Sequence, residues 1–400
     1  MNTFIVDRIQ TAGASNLNIP TEKIYELGNY QSVAVIRDVP DLTFNLDCLD
    51  VDTEVEGILT GSADPNADPR GTDGVTGTKY SLVNNVAADI ISPMKSGQGA
   101  FDIVKGVAVP QLTLESASYR YGLRENAGEQ FSLRGDSIYY IPGTPYKQVE
   151  AGDGTITAFT FDNAPLLYTE QGEPIYALNV SVDGVRQVRG VDYVDAVTGV
   201  TFTDPPGAGT VIRIVYGSGV AATYDQTVHQ GTSVKPAAIR GKDIRVYVGT
   251  VSTVPRRWTD VQSVNVDWRV TLEDDFEFGN ARAVSREATD APVVTGAIEI
   301  KPLSPDALFQ KLGEITGVPA TDVVGPQSSV ALPIQIELLN PDSGGSSAVA
   351  AGTVMKTLYV PDARFTIPGY EGRSQQKAVM TMNFESDGGI LEVFKGRRFV

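Results

Sequence analysis

Apolar and polar residues alternate along several short stretches of the chain, with the period of two that is typical of half-buried β-strands. The stretch from residue 42 to residue 48 has three inner apolar positions and three polar positions between them: Phe44, Leu46 and Cys48 against Thr43, Asn45 and Asp47. We expect the apolar set to face a protein core and the polar set to face the other side of a sheet.

Two segments have the helical period instead. In "SPDALFQKLGEITG", Ser304 is suited to cap the helix, Pro305 to its first turn and Gly317 to its end. The apolar positions between them follow the i, i+4, i+7 spacing: Leu308, Leu312 and Ile315. The segment "DVDTEVEGILTG" has the same spacing at Val51, Val55 and Ile58, so one short helix is predicted in each place.

The two helical segments belong to a longer repeat. "YELGN" at residues 25–29 returns as "FEFGN" at residues 276–280, a spacing of 251, and Val109-Pro110 returns as Val360-Pro361 at the same spacing. Because the spacing holds over a long stretch, the sequence predicts an internal duplication. We expect Gly28 and Gly279 to supply a turn or bulge at the entry into the first strand of each copy.

Between the copies, residues 151–217 have short alternating runs separated by turn signals. Asp183-Gly184 predicts a tight hairpin turn after the run that contains Leu178, Val180 and Val182. This pattern is typical of a small β-sandwich, so the predicted fold class is mainly β.

Composition limits the classes of function. The chain has 400 residues, a formal charge of −17 and one cysteine, which excludes an intrachain disulfide. So much negative charge argues against a clamp on nucleic acid, although an acidic channel would let DNA slide without sticking. Neither an export signal nor an apolar run long enough to span a membrane is evident, so we expect a soluble cytosolic protein without membrane insertion.

Candidate sites for chemistry are weak. The Asp-rich loop at residues 64–74 has Pro69 and Val75 where a calcium loop needs glycine and a carboxylate, so a contact with a neighbouring subunit is the preferred interpretation. His229 has no partner at metal or triad spacing, and Cys48 alternates in phase with core residues. The "RGD" at residues 134–136 is interpreted as a strand end. We predict no catalytic residue, no metal and no cofactor, and therefore no enzyme.

With "YELGN", "VPDLTFNLDCLDVDTEVEGILTG" and the closing "VMTMNFESDGGILEVFKG", the chain resembles the tail tube (major tail) proteins of tailed bacteriophages. The middle segment resembles the immunoglobulin-like β-sandwich modules inserted in many phage structural proteins. The resemblance implies two tandem tail-tube β-sandwich or barrel folds, each with a short helix, at residues 1–146 and 221–400. A small immunoglobulin-like β-sandwich is implied between them, at residues 147–220.

In that family, six folds form a ring and the rings stack into a hollow tube, so a doubled chain implies three subunits in a pseudo-hexameric ring. The resemblance implies a structural protein of the virion tail, assembled in the host cytoplasm, through which double-stranded DNA passes without specific binding. The implied partners are other copies of the chain in the ring and in stacked rings, tail terminator, baseplate or tip proteins, a sheath if the tail is contractile, and cell-surface glycans for the inserted module.

The ring gives roles to individual residues. We expect Asp47, Glu299, Thr43 and Asn45 to face the lumen, where the two carboxylates would repel phosphate. Asp64, Asp68, Asp73 and Asp322 lie on long loops that we expect to contact the adjacent ring.

Other classes of function stay open. A β-sandwich surface adhesin or carbohydrate-binding protein would need an export signal, and it would not require a helix between strands in both copies. An enzyme with a site that sequence motifs do not reveal is a further possibility. The tube of a contractile injection device is closer, because sequence does not separate contractile from non-contractile tails.

Overall fold

A computed structural model describes the chain in separate ranges, to which all structural statements below refer. These are residues 9–18, 21–24, 34–37, 40–49, 53–60, 79–82, 87–95, 102–170, 173–220, 222–223, 239–249, 257–277, 282–302, 304–317, 330–340, 354–366 and 379–396.

We call the part up to strand β9 the first unit. Its elements are β1 (Ile9–Asn18), β2 (Thr21–Ile24), β3 (Ala34–Arg37), β4 (Asp41–Cys48), α1 (Glu54–Leu59), β5 (Lys79–Ser81), β6 (Ala88–Lys95), β7 (Asp102–Gly122), β8 (Gly128–Gly135) and β9 (Tyr139–Ile141).

The middle unit follows. Its strands are β10 (Thr144–Ala151), β11 (Ala158–Thr160), β12 (Tyr168–Glu170), β13 (Glu173–Ile175), β14 (Ala177–Val182), β15 (Val185–Arg186), β16 (Tyr193–Ala196), β17 (Gly199–Phe202) and β18 (Val211–Ser218). The short strand β19 (Ala222–Thr223) pairs with β7 of the first unit.

The second unit begins with a 3₁₀ turn at Gly241–Asp243. Its further elements are β20 (Ile244–Val248), β21 (Arg257–Trp258), β22 (Val261–Arg269), β23 (Leu272–Asp275), β24 (Ser285–Ala288), β25 (Val293–Ile300), α2 (Pro305–Thr316), β26 (Ala331–Leu339), β27 (Val354–Phe365), β28 (Met380–Ser386) and β29 (Glu392–Lys395).

The predicted mainly-β class is confirmed. One antiparallel sheet runs through the first and second units in the order β1-β4-β8-β7-β22-β25-β28-β27-β26-β20-β21. The middle unit has smaller sheets of its own, β10-β18-β14-β15 and β11-β17-β16. None of these sheets closes into a barrel within the described ranges.

Much of the strand pairing of the first unit is repeated in the second in the same register. Ala12 pairs with Leu46 as Val264 pairs with Ile298, and both pairs of strands have an irregularity one step earlier. Leu114 pairs with Leu133 as Phe365 pairs with Phe384. The offset is 252 for the first comparison and 251, the spacing found in the sequence, for the second, which supports the duplication at the level of individual backbone pairs.

At one core position, the two units fill the same space with different side chains. Phe44 on β4 corresponds to Gly296 on β25, and the strands opposite them carry Leu133 and Phe384. A Cβ added at Gly296 would lie 2.4 Å from the Phe384 ring, so that ring fills the space that Phe44 fills in the first unit. Two sequences can therefore keep one backbone register while distributing the aromatic bulk differently.

The second predicted helix begins and ends as its sequence indicates. The Ser304 hydroxyl accepts a hydrogen bond from the backbone N–H of Ala307 at 3.2 Å, Pro305 occupies the first turn, and Gly317 closes the helix at φ 70°. The first helix is shorter and ends at Thr60, whose backbone N–H donates to the Glu56 carbonyl.

The middle unit is buried on both faces of its larger sheet. One face has its own apolar cluster, which includes Val180, Ile212 and Ile214. The other packs Leu178 and Val215 against Ala108 of the first unit. Asn179 and Ser181 are buried too, although the alternation in sequence favours an exposed polar face. One face of this sheet is therefore packed against the first unit.

The hairpin turn predicted at Asp183-Gly184 is present, with φ of 50° and 87° at the two residues. Strand β10 crosses the boundary placed between residues 146 and 147, and it pairs with β18 along its length. The division into residues 1–146, 147–220 and 221–400 stays a prediction.

One sequence-based expectation is wrong. "YELGN" and "FEFGN" do not mark the entry into a first strand, because each follows the first strand of a hairpin, β2–β3 and β23–β24. The two hairpins have one register at an offset of 251. Residues 25–29 and 278–280 of the echo lie outside the described residues. Gly28 and Gly279 lie outside the described residues. The preserved feature is a hairpin arm.

Candidate functional site

The first unit is joined to the second edge to edge, through strands β7 and β22. Their pairing runs from Ser116 opposite Arg269 to Gly122 opposite Ser263. A second connection pairs β5 with β29, where Lys79 forms an ion pair with Glu392. Adjacent copies of this fold therefore join by continuing one sheet into the next.

The strand that corresponds to β22 in the first unit is β1, and it ends the sheet. On one side, β1 pairs with β4 from Ile9 to Ala14 in the register in which β22 pairs with β25, and a further irregularity shifts the rest of β1. On the other side, where β22 has β7, no strand among the described residues pairs with β1. Such an edge offers a row of backbone donors and acceptors to another strand.

We call the connection between the first and second units the joint. The hairpin β23–β24 adds to this joint, because it lies over the end of β8. Arg134 donates to the Leu272 carbonyl at 3.0 Å and lies 3.2 Å from the Asp274 carboxylate. Arg286 bridges Asp274, at 2.7 Å, and Asp136, at 3.1 Å. The "RGD" segment thus contributes to the joint between the two units.

The middle unit enters the same ion-pair cluster through Arg186. Its guanidinium contacts both oxygens of Asp136, at 2.7 and 3.0 Å, and the Asp136 side chain has no exposed surface. The backbone N–H of Arg186 also donates to the Val284 carbonyl of the second unit. Burial opposes ionisation of Asp136, but Arg186 and Arg286 outweigh it and hold its pKa below the usual range. All three units therefore meet at Asp136.

A second buried cluster joins the units from inside the core. The Lys356 ammonium on β27 lies 2.5 Å from Glu56 on α1 and 2.7 Å from Glu129 on β8. Tyr119 donates to Glu56 at 3.0 Å, and Tyr121 donates to Glu129 at 3.1 Å. The position that corresponds to Lys356 in the first unit is Lys105, which is exposed, so this cluster occurs at the joint inside the chain.

The two carboxylates share one ammonium, and the pKa values reflect this. Burial raises the pKa of Glu129 to about 8, with Lys356 opposing the shift and Glu56 adding to it. Burial alone would lower the pKa of Lys356, but Glu129 and Glu56 outweigh it and raise it. Burial and the neighbouring carboxylates also hold the pKa of Tyr119 well above its usual value. Burial and the Glu56 carboxylate thus favour the protonated form of Glu129, whereas Lys356 favours its ionised form.

The predicted lumen residues lie together on one face of the main sheet. Thr43, Asn45 and Asp47 are half-buried opposite the buried Phe44, Leu46 and Cys48, which confirms the predicted alternation. Across β4, β8, β7, β22 and β25, the polar face contains Thr43, Asn45, Asp47, Gln130, Ser132, Arg134, Ser116, Ser118, Arg120, Ser263, Asn265, Asp267, Thr295, Ala297 and Glu299.

This polar face is made mainly of small uncharged side chains. Ser118 donates to Asp267 at 2.5 Å, and Ser263 donates to Glu299 at 2.9 Å. Arg120 and Arg134 offset part of the negative charge, so the face is less acidic than Asp47 and Glu299 alone indicate. That it faces a lumen stays a prediction.

Other predicted residues fall elsewhere. Asp64, Asp68, Asp73 and Asp322, the loop residues, and His229 lie outside the described residues. Cys48 is a buried thiol in the core, as its alternation predicts. Within the described ranges, no cluster of three His, Cys, Asp or Glu side chains has the geometry to hold a metal ion. No described helix is long and apolar enough to cross a membrane.

Sequence reasoning missed Lys356, Glu129 and Arg186. Each is a charged residue inside a strand, and its partner lies 50 to 300 positions away in the chain. One of these residues could have been found from the alternation. Glu129 precedes the buried Phe131 by two positions and the buried Leu133 by four, so the pattern predicts that Glu129 is buried too.

The described contacts therefore form a joint between the units of a mainly-β protein. No family model matches the chain, and no curated protein matches it. Among solved structures, it is similar to a chain in the cryo-EM structure of the anti-feeding prophage (AFP) baseplate, 6-fold symmetrised. The identity is 13%, the match covers 38% of this chain and 92% of that chain, and the TM-score is 0.26.

Proposed function

We propose that this protein is a structural component of a phage virion tail, whose copies join head to tail into rings that stack as the hollow tail tube. The observation that carries the proposal is the open edge of β1. The same strand position, β22, is paired with β7 inside the chain, so the chain contains one completed joint and one half of another. A second copy supplies the missing half.

The joint between β7 and β22 is of a kind that can be repeated from one chain to the next. It brings together two different surfaces of the fold, and such a head-to-tail contact generates a ring if its rotation closes. Two fold copies in each chain make three chains the natural number for a six-position ring. In such a ring, the polar face of the sheet provides the surface past which double-stranded DNA moves.

The dimensions suit this role. Each unit supplies four strands to the continuous part of the sheet, β1-β4-β8-β7 and β22-β25-β28-β27. Six such units give about 24 strands, and strands about 4.8 Å apart with a tilt of about 40° close at a backbone radius of roughly 24 Å. After subtraction of side chains, a bore of roughly 35 to 40 Å remains, wider than a DNA duplex of about 20 Å.

Electron microscopy of the purified protein over a range of concentrations tests the proposal. We expect rings with a central hole, and stacks of such rings at high concentration. Particles of single-chain size at every concentration would rule the tube out and would favour the adhesin or carbohydrate-binding alternative, for which the test is binding to a glycan array.

A further inference from the structure

The two hairpin arms occupy matching positions in the two units, but their charges differ. Thr21 pairs with Arg37 in β2–β3 as Leu272 pairs with Ala288 in β23–β24, again at an offset of 251. Lys23 therefore holds the position that Asp274 holds in the second hairpin. The arms have one backbone register and opposite charge at this position.

The surface on which the second hairpin rests has a counterpart too. Arg134 and Asp136, which bind the second hairpin, correspond to Glu385 and Asp387 at the end of β28. The Asp136 side chain is fully covered, whereas the Asp387 side chain is 45% exposed and its partner Arg364 is 47% exposed. Glu385 is exposed as well. The second unit thus has a corresponding surface, and no hairpin among the described residues covers it.

The charges of the uncovered surface are inverted in the same way as those of the first hairpin. In the completed joint, the surface supplies the positive Arg134 and the hairpin supplies the negative Asp274, 3.2 Å apart. In the open half, the surface supplies the negative Glu385, and the matching hairpin position is the positive Lys23. Both combinations are complementary.

We propose that the β2–β3 hairpin of a second copy of this chain docks on the Glu385–Asp387 surface, with Lys23 opposite Glu385. This deepens the proposed function and rests on it, because it names the residues that join one chain to the next. The hairpin of the same chain does not reach this surface along the sheet. It is attached beside β4, five strand spacings from β28, or about 24 Å.

The inverted charges also fix the order in which units alternate. A β23–β24 hairpin on the Glu385 surface would place Asp274 against Glu385, and a β2–β3 hairpin on the Arg134 surface would place Lys23 against Arg134. Like charges in contact disfavour both wrong combinations. First and second units therefore follow one another around the ring.

Charge reversal tests this pairing by sedimentation velocity of the full chain. We expect Lys23→Glu alone, and Glu385→Lys alone, to raise the concentration needed for assembly at least tenfold. The double variant Lys23→Glu/Glu385→Lys should return it to within about threefold of the unmodified protein. Lys242→Glu, which reverses a charge on a 64% exposed side chain near the 3₁₀ turn, is the matched control and should leave assembly unchanged.

The outcomes separate this inference from the proposed function. Assembly of the unmodified protein that neither single reversal weakens, or a double variant that stays as defective as the singles while folded by circular dichroism, overturns the pairing of Lys23 with Glu385 and leaves the tube proposal standing. Failure of the unmodified protein to assemble at any concentration overturns both. Loss in the singles with recovery in the double variant supports the pairing.

Discussion

At the scale of single residues, the joint between the units depends on buried charges whose partners come from distant parts of the chain. Lys356, Glu56 and Glu129 have side chains that are almost completely inaccessible to water. Burying charges is costly unless each one keeps its partner, and removal of one partner leaves the others uncompensated. This cluster therefore holds the two units in one relative position more than it adds to their stability.

Replacement of Lys356 by methionine should lower the free energy of unfolding by about 3 to 5 kcal/mol, because two carboxyl groups would be left buried without their ammonium. Lys105→Met is the matched control: it changes the exposed counterpart in the first unit, and it should cost less than about 0.5 kcal/mol. Urea unfolding followed by tryptophan fluorescence measures both. Equal losses in the two variants would show that Lys356 is not the partner that the carboxyl groups require.

Glu129 gives the joint a pH dependence whose sign follows from its raised pKa. The carboxyl has a pKa of about 8 in the folded chain and of about 4.3 when unfolded, so between these values the folded state holds the extra proton. Its contribution to stability is full below about pH 4.3, decreases as the pH rises, and is lost above about pH 8. The contribution therefore changes most across the neutral range.

Glu129→Gln should remove the part of the pH dependence of stability that comes from Glu129. The difference in urea midpoint between the unmodified protein and the variant, measured at intervals from pH 5 to pH 8.5, should change steadily through that window and level off above it. A constant difference across the window would mean that Glu129 is ionised in the folded chain.

Residue-scale prediction from the sequence succeeded where neighbours in the chain decide the outcome. Phe44, Leu46 and Cys48 are buried as their alternation predicts, and Ser304 and Gly317 delimit α2. Lys356 could not be predicted to be buried, because its charge is compensated by Glu129, 227 positions away. The residues near Lys356 in the sequence do not indicate that such a partner exists.

At the scale of elements, the middle unit is joined to both other units through Arg186. The guanidinium meets Asp136 of the first unit, and the backbone of β15 meets Val284 of the second. Deletion of residues 151–217 would therefore uncover Asp136 and Arg286 as well as remove the unit. A single substitution tests the role of the middle unit more cleanly than the deletion does.

Arg186→Met should lower the free energy of unfolding by about 2 to 4 kcal/mol, because the buried Asp136 would keep Arg286 as its only arginine partner. Arg257→Met, on the exposed arginine of β21, serves as control and should cost less than about 0.5 kcal/mol. Chemical denaturation curves measure both losses. A loss no larger than that of the control would mean that the middle unit is only loosely attached and that assembly is independent of it.

The hairpin arms show the limit of element-scale prediction. The repeated "YELGN" and "FEFGN" correctly marked matching places in the two copies, but the type of place was wrong. The short strands β2 and β3 have four residues each, too few for a clear alternation, so the sequence did not predict their pairing.

At the scale of the whole molecule, the duplication is the feature that the sequence revealed best, because two segments of the chain have related sequences and the same backbone fold. Shape was harder to predict. The sheet that continues from β7 into β22 and the edge left open at β1 depend on how the two copies sit together, which neither copy determines alone. In the proposed ring, the pairing of β7 with β22 is the joint within a chain, and the edge of β1 is half of the joint to the next chain.

The mass of the smallest closed ring, determined by native mass spectrometry, tests this account most directly. Because each chain of 42.7 kDa provides two fold positions, a six-position ring should contain three chains and have a mass of about 128 kDa. A ring of six chains, of about 256 kDa, or a chain that stays at 42.7 kDa under all conditions, would contradict it.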